Sequence, residues 1–177
     1  LEHPGAWSPE FRGRPAGVGG GGPAVAPGSY QVRVTAGSWS QTRPLAVRMD
    51  PRLPSIGIDE SDLREQERLA LDVRDLLSEA RLLRREVAGM VEDLDPDQEP
   101  GQAGSEREAR LREIHAALTT EQGIAYPQPM LVDQIQYLYG MVARTPQNPG
   151  GDAYTRYQEL RAELDALSAE LETVGRE

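Results

Sequence analysis

The feature that most constrains the fold of this chain is an apolar stripe within residues 59–94. Its members recur at alternating steps of four and three residues: Leu69, Val73, Leu76, Ala80, Leu83, Val87, Met90 and Leu94. This spacing places them along one side of a single long helix. A similar stripe near the C-terminus consists of Ala153, Tyr157, Leu160, Leu164, Leu167, Leu171 and Val174. The two stripes predict long helices that pack against each other.

Two shorter amphipathic segments lie between the long ones. Ser105 and Glu108 form the sequence pattern of a capping box, and we expect the helix that follows to end at Gly123. Pro129 is expected in the first turn of the next helix. The apolar positions are Leu111, Ile114 and Leu118 in the first segment, and Leu131, Ile135, Leu138 and Val142 in the second, whose contact surface is widened by Tyr137, Tyr139 and Met141.

Residues 58–177 therefore predict a mainly α fold, an antiparallel bundle of about four helices. Asp59, followed by Asp62 three residues later, and Asp152 are the predicted N-caps of the first and last helices. A first helix that fills residues 59–94 would be about 54 Å long. The residues between the first two helices predict a loop. Its spaced acids resemble a calcium loop only superficially, because Gln98 and Gly104 stand where that loop needs Gly and Glu.

Residues 29–54 predict a β-hairpin, because apolar and polar residues alternate in them. The apolar residues of the first strand are Tyr30, Val32 and Val34. The second strand is expected within residues 38–49, where Pro44 cannot donate a hydrogen bond, so that strand lies at an edge or is broken or bulged. Two strands alone are marginally stable in water, so the hairpin needs either further strands or support from the helices.

Residues 1–28 are dominated by glycine and proline and predict a loop or linker, since such a composition buries too little surface to order itself. A phosphate-binding loop is a weaker interpretation of the glycine-rich run at residues 17–22. The sequence shows neither the preceding strand nor the following helix that such a loop requires, and it lacks the usual Lys or Ser/Thr.

The charge of the chain is unevenly distributed. All 19 basic residues are Arg, and the 29 Asp and Glu residues give a net charge of −10. Residues 1–57 hold six Arg and three acids, whereas residues 58–177 hold thirteen Arg and twenty-six acids. An acidic bundle repels phosphate backbones and anionic lipids, so we expect neither nucleic acid nor a membrane surface as a partner.

Other classes of protein are also disfavoured by the composition. The chain has no cysteine, so disulfides and thiolate zinc sites are excluded. No apolar run is long enough to span a bilayer, and no signal peptide opens the chain. Because the sequence starts at Leu1 without Met, we expect it to be a piece of a longer polypeptide.

No residue pattern indicates a catalytic, cofactor-binding or metal-binding site. His3 lies in the glycine-rich tail and His115 on a solvated helix, so neither suits a catalytic triad or a metal. The carboxylates near Arg64 and Arg112 are predicted to form exposed pairs along helices. Core and boundary packing is the expected role of the tyrosines, and an aromatic ligand platform is the alternative for Tyr126, Tyr137, Tyr139, Tyr154 and Tyr157.

Several strings in the chain carry a family likeness. Residues 25–35 (VAPGSYQVRVT) and 41–52 (QTRPLAVRMDPR) resemble the closing strands of an immunoglobulin-like domain of the flagellar-hook-cap type, in the version found near the C-terminus of bacterial sortilin-like β-propeller proteins. Residues 126–141 (YPQPMLVDQIQYLYGM) and 152–164 (DAYTRYQELRAEL) are similar to the helical tail of those proteins, and residues 1–9 to the loop before their closing hairpin.

The resemblance implies that this chain is the C-terminal part of a secreted or envelope-associated protein. Such proteins are often labelled glycosyl hydrolases because of Asp-box repeats in their propellers, and no Asp box occurs in this sequence. The resemblance therefore transfers no catalytic residue to this chain. It implies a non-catalytic structural or interaction module, with the propeller and immunoglobulin-like domain of the same parent protein as partners.

Two alternatives to this hypothesis stay open. The module could belong to a glycosyl hydrolase and contribute to carbohydrate binding through its tyrosines, Trp7 or Trp39. The long first helix could also self-associate as a coiled coil.

Overall fold

A computed structural model of the chain describes residues 1–9, 17–18, 21–94 and 105–175. The strands are β1 (Trp7–Ser8), β2 (Gly17–Val18), β3 (Gly28–Ala36) and β4 (Trp39–Val47). A 3-10 turn (Leu53–Ile56) precedes the helices α1 (Glu60–Glu92), α2 (Ser105–Leu118), α3 (Leu131–Arg144) and α4 (Gly151–Val174). The predicted helical bundle preceded by a β-hairpin is confirmed. The predicted loop and calcium-like spacing at residues 95–104 lie outside the described residues.

Helix α1 begins at the cap that the sequence predicts. The Asp59 carboxylate accepts hydrogen bonds from the backbone N–H of Ser61 (2.7 Å) and of Asp62 (3.0 Å), and the Asp62 carboxylate accepts from the Asp59 N–H (2.9 Å). This reciprocal box satisfies donors that the first turn leaves unpaired. The hydrogen bonds also lower the pKa of Asp59. The helix extends for 33 residues, about 50 Å.

The apolar stripes form the core of the bundle. Leu69, Val73, Leu76, Ala80 and Val87 of α1 are buried, together with the predicted positions of α2 and α3 and with Leu160, Leu164, Leu171 and Val174 of α4. The buried face of α1 is wider than the predicted stripe, because Ala70 and Leu77 are buried beside it. The exposed fractions of Tyr137 (72%) and Met141 (53%) show that these two residues do not widen the contact of α3 with the core.

Three helix ends differ from the sequence-based prediction. Helix α2 ends at Leu118 rather than at Gly123. In the loop that follows, the buried Thr120 hydroxyl accepts a hydrogen bond from the N–H of Met130 (2.9 Å), next to the start of α3. Pro129 precedes α3, whose N-cap is Met130. The N-cap of α4 is Gly150 and not the predicted Asp152, which lies in the first turn, where a carboxylate favourably opposes the helix dipole.

Hydrogen bonds from side chains of α1 show the direction of α3 relative to α1. Gln66, early in α1, bonds to the carbonyl oxygen of Val142 late in α3, whereas Arg81, farther along α1, bonds to Gln136 earlier in α3. These pairings make α1 and α3 antiparallel. The contact of α3 with α1 is more extensive than that of α4 with α1. The two long helices do contact each other as predicted, but the larger partner of α1 is the short helix α3.

Helix α4 runs in the same direction as α1 and opposite to α2. The Tyr154 hydroxyl of α4 bonds to Glu65 near the start of α1, and Arg161 pairs with Glu79 farther along. At the other end of α4, Arg110 of α2 pairs with Glu170. Helices α2 and α3 therefore lie one after the other along α1 and α4, so that the four helices form three columns.

The hairpin β3–β4 has an uninterrupted antiparallel register from Gly28 opposite Val47 to Ala36 opposite Trp39. Pro44 lies opposite Gln31 without a break or bulge. It is tolerated because, within the described residues, each strand of this two-stranded sheet has an unpaired outer edge. The edge alternative for this strand is therefore the correct one.

The N-terminal arm, residues 1–9, lies along α1. Its Trp7 N–H donates to the Ser78 hydroxyl (3.0 Å), the Trp7 carbonyl accepts from Arg81 (2.8 Å), and His3 pairs with Glu67 (2.6 Å). The arm also bonds to the chain before β3, through the N–H of His3 and the carbonyl of Pro23 (2.9 Å). The described parts of the predicted linker are thus mostly irregular in structure, but they pack against the bundle.

Candidate interaction surface

The two faces of the hairpin β3–β4 differ in chemistry. Residues opposite each other in an antiparallel pair point to the same side of the sheet. The apolar face, named here the hairpin face, carries the pairs Tyr30–Leu45, Val32–Arg43, Val34–Gln41 and Ala36–Trp39. The other face carries the pairs Ser29–Ala46, Gln31–Pro44, Arg33–Thr42 and Thr35–Ser40. The alternation thus gives the hairpin one side suited to burial.

Much of the hairpin face is exposed. The exposed fractions are 43% for Val32, 54% for Val34 and 52% for Trp39. Leu45 is half-buried at the base of the hairpin, where the Tyr30 hydroxyl donates to the carbonyl of Ala26 (2.8 Å). Burial is the main cause that raises the pKa of Tyr30. The predicted buried face therefore exists only at the base, and the outer part projects uncovered by the described residues.

Three features of this projection are typical of a surface that another β-structure covers. Its apolar side chains form one face, its two outer edges pair with no described strand, and two strands alone are marginally stable in water. Its charge is also distinct, because residues 28–49 contain three arginines and no acid. Arg33, Arg43 and Arg48 make no ion pair with the described residues.

A second exposed surface is a groove of about 800 Å³ between α3 and α4. Tyr137 and Met141 line it, and its rim carries Asp133, Asp152 and Glu159. The guanidinium of Arg156, also in its lining, pairs with Glu159 (2.8 Å) and bonds to Gln134. The groove is apolar with an acidic rim, the reverse of the charge on the hairpin.

The aromatic residues proposed for ligand binding lie in different environments. Trp7 is half-buried with the Arg85 guanidinium 5.8 Å from its ring centroid, whereas Trp39 is exposed at the turn of the hairpin. Tyr126 is fully exposed and Tyr139 is buried. Tyr154 donates its hydroxyl to Glu65 (2.9 Å), and burial together with this bond raises the pKa of Tyr154 to about 12. The structure does not present these side chains as a single aromatic platform.

The two histidines have separate partners. His3 pairs with Glu67, and the His115 ring contacts the Thr119 hydroxyl at 3.4 Å. In the part of the chain that the structure describes, no group of three His, Asp or Glu side chains is placed to hold a metal ion. The predicted pairs Glu60–Arg64 (2.7 Å) and Glu108–Arg112 (3.4 Å) form on the helices. Glu60–Arg64 is exposed as predicted, whereas Glu108 is buried.

None of the described helices contains an apolar stretch long enough to cross a membrane.

Sequence reasoning missed one buried polar residue that joins two helices. The Gln66 side chain of α1 donates to the carbonyl oxygens of Val142 (2.8 Å) and Thr145 (2.7 Å) and accepts from the N–H of Gln147 (3.2 Å). It thereby caps the C-terminus of α3. A signal for it exists in the sequence, because the apolar stripe of α1 continued one step back from Leu69 reaches residue 66.

Comparison of the chain with models of protein families, with curated proteins and with solved structures gives no match.

Proposed function

We propose that this chain is a non-catalytic structural or interaction module of a larger protein. In this module the helical bundle presents a β-hairpin, and an upstream β-domain packs against that hairpin. The observation that carries this proposal is the hairpin face, which no described residue covers. Val32, Val34 and Trp39 lie on one side of a ribbon whose two outer edges pair with no described strand. The immunoglobulin-like resemblance supports the same assignment. It supplies the further proposal that the parent protein is a sortilin-like propeller protein of the secreted or envelope class.

Polar substitution of the hairpin face tests this proposal. In the isolated chain the triple variant Val32→Thr, Val34→Thr and Trp39→Ser should change the free energy of unfolding of the bundle by less than about 0.5 kcal/mol, because these side chains are already exposed. In the chain extended upstream through the preceding domain, the same variant should lower stability and expose the hairpin amides to hydrogen exchange. The matched control Val73→Thr, in the core of α1, should destabilise both forms.

Two results would contradict the proposal. One is an equal loss of stability in the isolated and extended chains, which would mean that the hairpin face packs within the module. The other is strong protection of the Val32 and Val34 amides from exchange in the isolated chain.

Carbohydrate binding is a second candidate, and the exposure of Trp39 favours it. An exposed indole can stack on a sugar ring, and Trp7 is half-buried against Arg85. Titrating a panel of glycans into the Trp7→Phe variant isolates the fluorescence of Trp39. An unchanged spectrum across the panel removes this candidate.

Self-association through α1 is a third candidate, favoured by the exposed Leu82 (48%) on this long helix. Analytical ultracentrifugation of the chain and of Leu82→Ser tests it. A monomer at the highest soluble concentration of the unsubstituted chain contradicts it.

A further inference from the structure

A cavity of about 500 Å³ lies between the N-terminal arm and helices α1 and α3. Helix α1 contributes Arg81, and α3 contributes Gln136, Tyr139, Gly140 and Arg144. The volume falls in the range of small-molecule sites in proteins. Most of the polar side chains on its walls are hydrogen-bond donors. The cavity therefore suits a ligand that accepts hydrogen bonds.

Arg81 is a partly buried cation whose hydrogen-bond acceptors among the described residues are neutral. Its guanidinium donates to the Trp7 carbonyl oxygen (2.8 Å) and to the side-chain oxygen of Gln136, and both acceptors are neutral. No carboxylate of the described residues lies within ion-pair distance of it. Burial and then the nearby Arg84 lower the pKa of Arg81, and the negative charge of Asp133 opposes them only in part. A desolvated guanidinium is stabilised when an anion approaches it.

Three further donors line the same cavity. Arg144 makes no hydrogen bond or ion pair with any described residue, and its side chain passes within 4.0 Å of the position that a Gly140 Cβ would occupy. The Tyr139 hydroxyl is buried and has no hydrogen-bond partner in the described part of the chain. The Gln136 amide accepts from Arg81 through its oxygen, which leaves its N–H groups as donors.

We propose that this cavity binds a small organic carboxylate between Arg81 and Arg144. The planar fork of a guanidinium matches the two oxygens of a carboxylate, and the amide and phenol hydroxyl supply further donors. The apolar side chains of Ala6, Leu77 and Ala143 line the remaining wall and suit a carbon skeleton. Among the described residues that line the cavity, Glu2 is the one acid, and it is exposed. This site is separate from the hairpin face and does not depend on the function proposed above.

Calorimetric titration of the chain with succinate and with citrate tests the site, with inorganic phosphate and sodium chloride at matched ionic strength as comparisons. We expect saturable binding of at least one carboxylate and none of chloride. Arg144→Gln should weaken that binding about tenfold, the effect of losing one charge-assisted contact. Arg43→Gln, an equal change of charge on the exposed hairpin, should leave it unchanged.

A second variant acts by filling space. Open volume surrounds the Gly140 Cβ position, so Gly140→Leu should fold and abolish carboxylate binding. Circular dichroism and thermal unfolding confirm the fold of each variant. Saturable binding of phosphate without any binding of carboxylates overturns the ligand class. Equal responses of Arg144→Gln and Arg43→Gln, or heats that follow ionic strength alone, overturn the site.

Discussion

Replacing Gln66 tests whether a single side chain of α1 fixes the end of α3. Its amide makes three hydrogen bonds across the helix interface, and only 9% of the residue is exposed. Gln66→Leu keeps similar bulk but removes all three bonds. Each buried bond contributes about 1 kcal/mol net, so the expected loss in the free energy of unfolding is about 3 kcal/mol.

The structure also sets a limit on that loss. Gln66, Val142 and Thr145 line a small cavity of about 180 Å³ at the base of the hairpin. Water entering there can hydrogen-bond to the carbonyl oxygens that the substitution leaves without a donor, which would reduce the loss to about 2 kcal/mol.

Gln66→Glu separates hydrogen bonding from packing, because it retains the size of the side chain. The amide NH2 group, which donates to both carbonyl groups, is replaced by one carboxyl oxygen that faces two carbonyl oxygens. Burial and these oxygens should raise the folded-state pKa of the introduced carboxyl above its unfolded value of about 4.3. The deficit in stability relative to the unsubstituted chain should then be smallest below pH 4.3 and grow as the pH rises towards the raised folded-state pKa. The deficit of Gln66→Leu should be independent of pH.

Urea unfolding of both variants, each compared with the unsubstituted chain at pH 4 and pH 7, measures these differences. A loss below about 0.5 kcal/mol for Gln66→Leu would refute the capping role. An equal stability deficit of Gln66→Glu at both pH values would show that the introduced carboxyl is solvated. It would then follow that the Gln66 amide of the unsubstituted chain is not held between the two carbonyl groups.

Two further predictions concern the core and a polar contact of the bundle. Leu76→Ala should cost about 2 to 5 kcal/mol in chemical unfolding, because this side chain is fully buried, whereas Leu82→Ala on the exposed side of the same helix should cost less than about 0.5 kcal/mol. Burial and Glu65 raise the pKa of Tyr154 from 10.0 to about 12, so the stabilisation by its protonated hydroxyl is complete below pH 10 and is lost as the pH rises through about 12. Tyr154→Phe should remove one late-ionising tyrosine from an ultraviolet absorbance titration, and an unchanged titration would contradict this contact.

Hydrophobic periodicity predicted the helices and their buried sides well. The core positions Leu111, Ile114 and Leu118 of α2 are all buried, and the capping box of Asp59 forms as expected. Both features depend on residues within one helical turn of each other, so the local sequence contains the information. The same holds for the two strands of the hairpin, which the alternation of apolar and polar residues predicted.

The partners of each helix were not predictable in the same way. A stripe shows which side of a helix is buried but not which neighbour buries it. For that reason the sequence could not show that α2 and α3 lie one after the other along α1, or that Tyr137 and Met141 remain exposed. The positions of the N-terminal arm and of Gln66 depend on hydrogen bonds between residues more than sixty positions apart.

The position of the hairpin relative to the bundle is set at its base rather than along its strands. The chain before β3 pairs with the N-terminal arm, the arm is bonded to α1 through His3 and Trp7, and the chain after β4 lies against Leu63 and Gln66. Because these contacts end where the strands begin, both faces of the outer hairpin stay clear of the acidic helices. A domain that covers the hairpin face would therefore need to match only its apolar residues and arginines, and the bundle would determine where that domain is held.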